Sequence, residues 1–243
     1  MLAFSAALLM GAVAAARPDA LGRRTILLGH SRAGRPIVAI ETGDFRSARK
    51  ELVVGCIHGT ECAGIAIARR LERMKPPADL DLWIVPNLNP DGSILGRRGN
   101  ADRVDLNRNF PWRWQKLSGL FDSGPRPLSE PETRIAVRLI ERVRPEVSIW
   151  FHQHQDLVDD SEGSIPVEWA FAVGAGMRMF SLVEEPGSAV TWETHCLRGA
   201  TAFVVELPPG RLDPAQVYGA AHGVIAASEA GLERRPSVAS DCA

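Results

Sequence analysis

At 243 residues, 45% of them apolar, the chain can bury one substantial core, and nothing in it forces a second domain. A formal net charge of −1, with its few basic pairs scattered, excludes the electrostatic footprint of a nucleic-acid partner. Met1 to Ala16 is apolar and uncharged, ends in Ala14-Ala15-Ala16, and is broken off by Arg17-Pro18-Asp19, so it reads as a secretory signal. It is shorter than the roughly 20 residues of a membrane span. The expected location is therefore secreted or periplasmic without a stable membrane anchor, and cytoplasmic if the leader is misread. Residues 17–230 are expected to form a single domain and 231–243 a loose tail. No feature asks for an oligomer, and a monomer is expected. Cys56, Cys62, Cys196 and Cys242 suit disulfides in an oxidising compartment, with Cys62 to Cys196 the expected pair.

In chain order, Arg24 to Gly29 and Ile37 to Thr42 are β-branched runs joined by a turn-rich segment, Ser31 to Pro36, and read as a hairpin. Glu51 to Ile57 is a buried strand that delivers His58. Gly59 then lets the backbone turn sharply into a helix over Cys62 to Met74, which Lys75-Pro76-Pro77 ends. Leu80 to Val85 is a third strand running into Asn87-Leu88-Asn89-Pro90-Asp91-Gly92, a string of turn formers expected to start no regular helix. Strand, helix and strand in that order predict parallel pairing in a helix-covered sheet.

From Gly92 to Leu128 the chain reads as irregular, and a structureless stretch of that length inside a compact domain is expected to build a site. Ser129 and Glu132 have the spacing of a capping box for a helix running to about Val143, before Pro145. Val147 to Phe151 is a strand that stops at His152-Gln153-His154. A short helix is expected near Ala172 to Phe180, and Ala202 to Leu207 is a last buried strand carrying Glu206. Asp213-Pro214 caps a final helix reaching about Ala230.

His58, Glu61, His152 or His154, and Glu206 all fall at strand ends, and the loops beyond the carboxyl ends of strands in α/β sheets gather into one crevice. Two histidines and one glutamate with an open position make a catalytic rather than a structural zinc site. His154 shares strand parity with His152, so spacing alone leaves the choice between them open.

The ordered set His58-x-x-Glu61, Asn89-Pro90-Asp91-Gly92, Arg98, Asp105-x-Asn107-Arg108-Asn109-Phe110, Ser129-Glu130-Pro131-Glu132, His152 and Val205-Glu206-Leu207-Pro208 resembles the zinc carboxypeptidases of the carboxypeptidase A type. It is most similar to their compact bacterial branch, which includes murein peptide amidases, and the resemblance runs from about residue 25 to 230. It implies a mixed, mostly parallel α/β sheet with helices on both faces. It also implies one Zn2+ per chain held by His58, Glu61 and His152, with His154 lining the pocket or serving as a core donor. Glu206 would be the general base and acid, Arg98 would polarise the scissile carbonyl, Asn107 and Arg108 would grip a terminal carboxylate, and Asp105 would orient His58. The implied activity is a zinc metallocarboxypeptidase acting on a peptide with a free terminal carboxylate. A murein peptide amidase cutting γ-D-glutamyl-diaminopimelate, a deacylase of small N-acyl amino acids and a non-catalytic wall-binding module are the alternatives.

The family's tyrosine lid has no counterpart, because the single tyrosine, Tyr218, falls after Glu206 in the last helix. The chain is short for the family and no pro-segment is expected, which favours an open cleft and a cell-wall peptide or small amide. Gln155 to Thr201 is expected to form the pocket, with Asp156, Asp159, Asp160 and Glu162 giving an acidic rim suited to an amine, and Trp169, Trp192 and Phe180 giving apolar surface.

Overall fold

The structure, a computed structural model, describes residues 21–161, 163–231 and 237–239. The leader Met1 to Ala16, Glu162, Cys242 and most of the tail read as loose lie outside the described residues.

The hairpin forms as β1 (Leu21–His30) and β2 (Pro36–Asp44). Then come β3 (Lys50–Val54), α1 (Gly64–Leu71), β4 (Asp81–Val85), α2 (Pro90–Leu95), α3 (Pro131–Val143) and β5 (Val147–Gln153). They are followed by β6 (Leu157–Asp159), α4 (Ile165–Ala175), β7 (Met179–Phe180), α5 (Ala189–Cys196) and β8 (Leu197–Arg198). The last elements are β9 (Thr201–Leu207), α6 (Pro214–Ala230) and β10 (Ser237–Val238), which pairs with β8. Eight strands make one sheet in the order β1-β2-β4-β3-β5-β9-β6-β7. Its centre, β4-β3-β5-β9, is parallel, while β1, β2 and β4 pair antiparallel at one side and β6 runs antiparallel to β9 at the other.

Strand alternation divides the core into two layers. Leu52, Val54, Trp150 and Val204 meet Ile135, Leu139 and Ile140 of α3 and Trp192 of α5. Val53, Ile149, Phe151, Phe203 and Val205 meet Ile67 and Leu71 of α1, Phe171 of α4, and Ala220 and Val224 of α6. Helices therefore cover both faces, as expected.

Several local expectations are corrected. Asn89-Pro90-Asp91-Gly92 does begin a helix: the Asn89 side chain accepts from Gly92 N and Pro90 takes the first turn, where its missing N–H costs nothing. Asp91 is then buried and tied to the first hairpin by Ser31 Oγ, Ala33 N and Arg35 Nη1. The Ser129/Glu132 capping box does not form. Glu130 is the cap residue, and Glu132 turns inward to accept from Arg32 N at 2.7 Å and from Asn100 Nδ2 at 3.1 Å. Tertiary donors outcompete the local one.

The helix expected near Ala172 to Phe180 lies earlier, because Gly176 in the left-handed region ends α4 and Met179–Phe180 joins the sheet edge. The sequence reading missed α5, which Ser188 caps by accepting from Thr191 N. Cys62 is bonded to Cys56, not to Cys196, because both lie on the short loop that carries His58 and Glu61. The role foreseen for Gly59 also changes. A Cβ there would lie 2.0 Å from the backbone carbon of Gly92, so close packing of this loop on α2 demands the glycine.

Candidate metal centre and active-site cleft

His58 follows β3 and Glu61 precedes α1, so one loop presents both, and His152 reaches them from the penultimate position of β5. His58 Nδ1 lies 2.9 Å from Glu61 Oε2, and His152 Nδ1 lies 3.1 Å from His58 Nδ1 and 3.2 Å from Glu61 Oε2. These three residues form a group able to hold a metal ion, and His154 is not part of it. Because β5 ends at Gln153, strand parity no longer governs His154, which is exposed and lines the cleft.

The donor set fits zinc. His58 Nε2 is engaged by Asp105 Oδ1 at 2.9 Å, which leaves its Nδ1 lone pair facing the other two donors. A shared proton satisfies only part of that convergence, whereas bonds of about 2.0–2.2 Å in a tetrahedral site place donors about 3.3–3.6 Å apart. The observed spacings of 2.9, 3.1 and 3.2 Å fall a few tenths of an ångström short of that range, so the three donors need only spread slightly to take the ion.

Arg98 ties the arrangement together. Its Nε donates to Asp105 Oδ2 at 2.8 Å and its Nη1 to Glu61 Oε1 at 2.7 Å. Burial works against the charge on Asp105, but His58 and Arg98 outweigh it and hold the carboxyl well below its usual range. Glu61 is depressed in the same way, with burial opposed by the two imidazoles. Burial also disfavours a charged His58, but Asp105 and Glu61 raise its pKa on balance. His152, buried more completely than its partners can offset, is pushed down to about 4, so it is neutral and able to ligate at pH 7.

Glu206 stands beside His152 as its register partner on β9. Its Oε2 is buried without a hydrogen-bond partner, and burial first, then the charge of Glu61, raises its pKa, against the Gln155 backbone N–H. A carboxylate so placed is poised to take a proton.

The cleft that these groups line holds about 350 Å³ and also takes in Asn107, Arg108, Asp159, Ser188 and Thr191. Asp105 starts a 3-10 turn, accepting from Asn107 N, and that turn aims Arg108 into the cleft. The Asn107 side-chain Oδ1 accepts from Ala189 N at 2.8 Å, leaving the side-chain Nδ2–H groups for a ligand. Arg108 is buried and meets the half-exposed Glu185 at 3.2 Å. The segment Gln155 to Thr201 does supply much of the cleft wall. Of the expected acidic rim, Asp159 lines it, joined by Glu184 and Glu185. Trp192 is not pocket surface but core, and Trp169 and Phe180 are exposed away from the cleft.

Sequence reasoning missed Phe121. Its ring lies 5.3 Å from the guanidinium carbon of Arg98 and 5.5 Å from that of Arg108, and it is 46% exposed. No local signal marks it, since its position over both arginines comes from the return of the irregular segment. Tyr218 lies elsewhere, on α6 under Arg70.

Comparison with known proteins agrees with this geometry. The family model for zinc carboxypeptidase matches residues 8–159. The murein peptide amidase A of Vibrio campbellii is 32% identical over 202 residues, covering 74% of this chain and 78% of that protein. The enzyme of the same name from Escherichia coli K12 is 30% identical over 207 residues, covering 77% and 82%. Among solved structures, the murein-tripeptide amidase of Escherichia coli O157 superposes with a TM-score of 0.70 at 27% identity, over 83% of this chain and 91% of that one. The carboxypeptidase A of Helicoverpa armigera, with a TM-score of 0.71 at 18% identity over 88% and 69%, shares the fold.

Proposed function

The chain belongs to the zinc carboxypeptidase family, and on that premise we propose that it hydrolyses the amide bond before a terminal residue bearing a free carboxylate, with a murein-type peptide as its substrate and one Zn2+ held by His58, Glu61 and His152. The single observation that carries catalysis rather than mere binding is the buried, unpartnered oxygen of Glu206, in the same cleft as the three metal-binding side chains. A binding module has no use for a proton acceptor there.

Zinc, when bound, supplies the Lewis acidity that makes a water molecule nucleophilic near neutral pH. Glu206 accepts the proton released as water attacks the carbonyl carbon and returns it to the leaving amine. Arg98, anchored by Asp105 and Glu61, donates to the carbonyl oxygen as negative charge develops on it. Arg108 and the Asn107 amide hold the terminal carboxylate, which fixes which bond lies over Glu206. Asp105 keeps the His58 ring in the tautomer whose Nδ1 is free. The likeness to murein peptide amidases over more than two thirds of their length supports the substrate class. A secreted or periplasmic location, proposed from the leader, fits such a substrate.

The test is hydrolysis across three substrates, a hippuryl dipeptide, a plain tripeptide and L-alanyl-γ-D-glutamyl-diaminopimelate, by wild type and Glu206→Gln with zinc supplied. Cleavage of the last alone, lost in the variant, is the expected result. Release of terminal residues from all three would make the protein a general carboxypeptidase. Zinc binding without turnover of any substrate would overturn the catalytic reading.

A further inference from the structure

Outside the catalytic cleft, a groove of about 1290 Å³ runs between the outer face of α1 and the start of α6. Arg69, Arg70 and Arg73 line it from α1 and its end, and Arg211 lines it from the loop after β9. None of the four forms an ion pair among the described residues. The only acid in the lining among the described residues, Asp213, is occupied as the cap of α6, accepting from Gln216 N at 2.8 Å. Arg70 is held as a wall, its guanidinium carbon 5.5 Å from the ring of Tyr218 and its Nε buried with no partner. In a chain of net charge −1, four guanidiniums in one concave surface, with no ion-pair partner among the described residues, focus a positive potential.

This groove adjoins the catalytic cleft through one side chain. Gln153 lines the cleft, accepts from Ala63 N at 3.1 Å, and donates to the carbonyls of Pro208 and Gly210, both at 2.8 Å. Ala63 and Gly210 are themselves groove residues. Arg108, which binds the departing residue's carboxylate in the reading above, lies instead where the cleft meets a separate cavity lined by Lys116 and Phe121. On that reading the acyl portion of a substrate would lie away from Arg108, and Gln153 is the side chain that joins the cleft to the groove holding the arginines.

We propose that the α1/α6 groove is an exosite for an anionic chain continuing from the acyl side of the scissile bond. The chemistry it takes is carboxylate or phosphate groups spaced along a linear polymer. The assignment of the acyl side rests on the proposed activity, while anion binding by the groove does not, and the two are tested separately.

The full chain is compared with a triple variant, Arg69→Gln, Arg73→Gln and Arg211→Gln, and with the single charge reversal Arg211→Glu. Two substrates share L-alanyl-γ-D-glutamyl-diaminopimelate and carry either two glutamates or two glutamines on the amino side. Wild type is expected to show a KM about fivefold or more lower for the glutamate form at low salt, with the gap closing as salt screens it. The variants lose that preference and keep wild-type turnover of the glutamine form, which also shows that they fold. Equal KM values in wild type, or a preference that survives the triple substitution, would overturn the proposal. Titration with inorganic tripolyphosphate decides the anion site even if neither substrate is cleaved. Binding weakened about tenfold or more in the triple variant supports it, and no binding, or equal binding in both proteins, refutes it. Tighter capture by vesicles containing phosphatidylglycerol than by either soluble anion would refute a polymer exosite in favour of a lipid surface.

Discussion

His152 and Glu206 are register partners on the adjacent parallel strands β5 and β9, so the strand that brings one histidine of the group able to hold a metal ion also fixes the distance to the carboxylate beside it. Both share the parity of Trp150 and Val204 and therefore face the α3/α5 side of the sheet.

That pairing predicts a separation of metal binding from turnover. Glu206→Gln preserves shape and removes the proton acceptor, so zinc content stays at one per chain while kcat falls by roughly 10²–10⁴-fold. Metal analysis beside single-turnover rates checks it, and loss of zinc from the variant would mean that Glu206 helps to hold the ion.

Asp105 binds His58 Nε2 at 2.9 Å and Arg98 Nε at 2.8 Å, so Asp105→Asn disturbs both the tautomer of His58 and the anchoring of Arg98. Zinc affinity, measured by competition with a chelator, is expected to fall about 10- to 100-fold. An unchanged affinity would show that the ring is oriented by packing alone.

Arg108 presents a planar fork to the cleft, and a lysine at that position offers only a point charge. Arg108→Lys is expected to raise KM by roughly tenfold or more for a substrate with a free carboxylate. The same substrate with its carboxylate amidated is expected to be poor for wild type and variant alike.

Gly59→Ala places a methyl group 2.0 Å from the backbone carbon of Gly92. The loop carrying His58 and Glu61 must shift, costing about 3 kcal/mol and lowering zinc affinity, as denaturant titration and chelator competition will show. A variant as stable as wild type would mean that the loop has slack which this packing does not suggest.

Glu193 gives a pH signature separate from the metal site. Burial between β5 and α5 raises its carboxyl to about 7, against hydrogen bonds from Ser148 and Trp150. Between its ordinary pKa of about 4.5 and about 7 the folded state holds a proton that the unfolded state has lost, so stability falls as pH rises through that window. The loss amounts to roughly 2 to 3 kcal/mol. Glu193→Gln is expected to remove this slope, so the stability difference between variant and wild type grows from pH 5 to pH 8. A constant difference would place the carboxyl's pKa in its ordinary range.

The parallel core was legible because β3, β4, β5 and β9 are short apolar runs bounded by strong stop signals, and α6 because Asp213 and Pro214 mark its start. Where the reading failed, long-range contacts outcompeted local ones. Glu132 left its capping box for Arg32 and Asn100, and Cys62 bonded to Cys56 on its own loop. The helix α5 escaped because its apolar residues are spread around it, with no single stripe to betray it.

The sequence by itself determined which chemical groups are present, their order, and their arrival at strand ends, because strand and turn propensities are local. Only the tertiary structure decided that His152 and not His154 completes the trio with His58 and Glu61, that Arg98 bridges Asp105 and Glu61, that Phe121 covers two guanidiniums, and that Arg211 joins the arginines of α1 and of the residues just after it. Those relationships join residues far apart in the chain. They follow from strand register and helix packing, which no local propensity encodes.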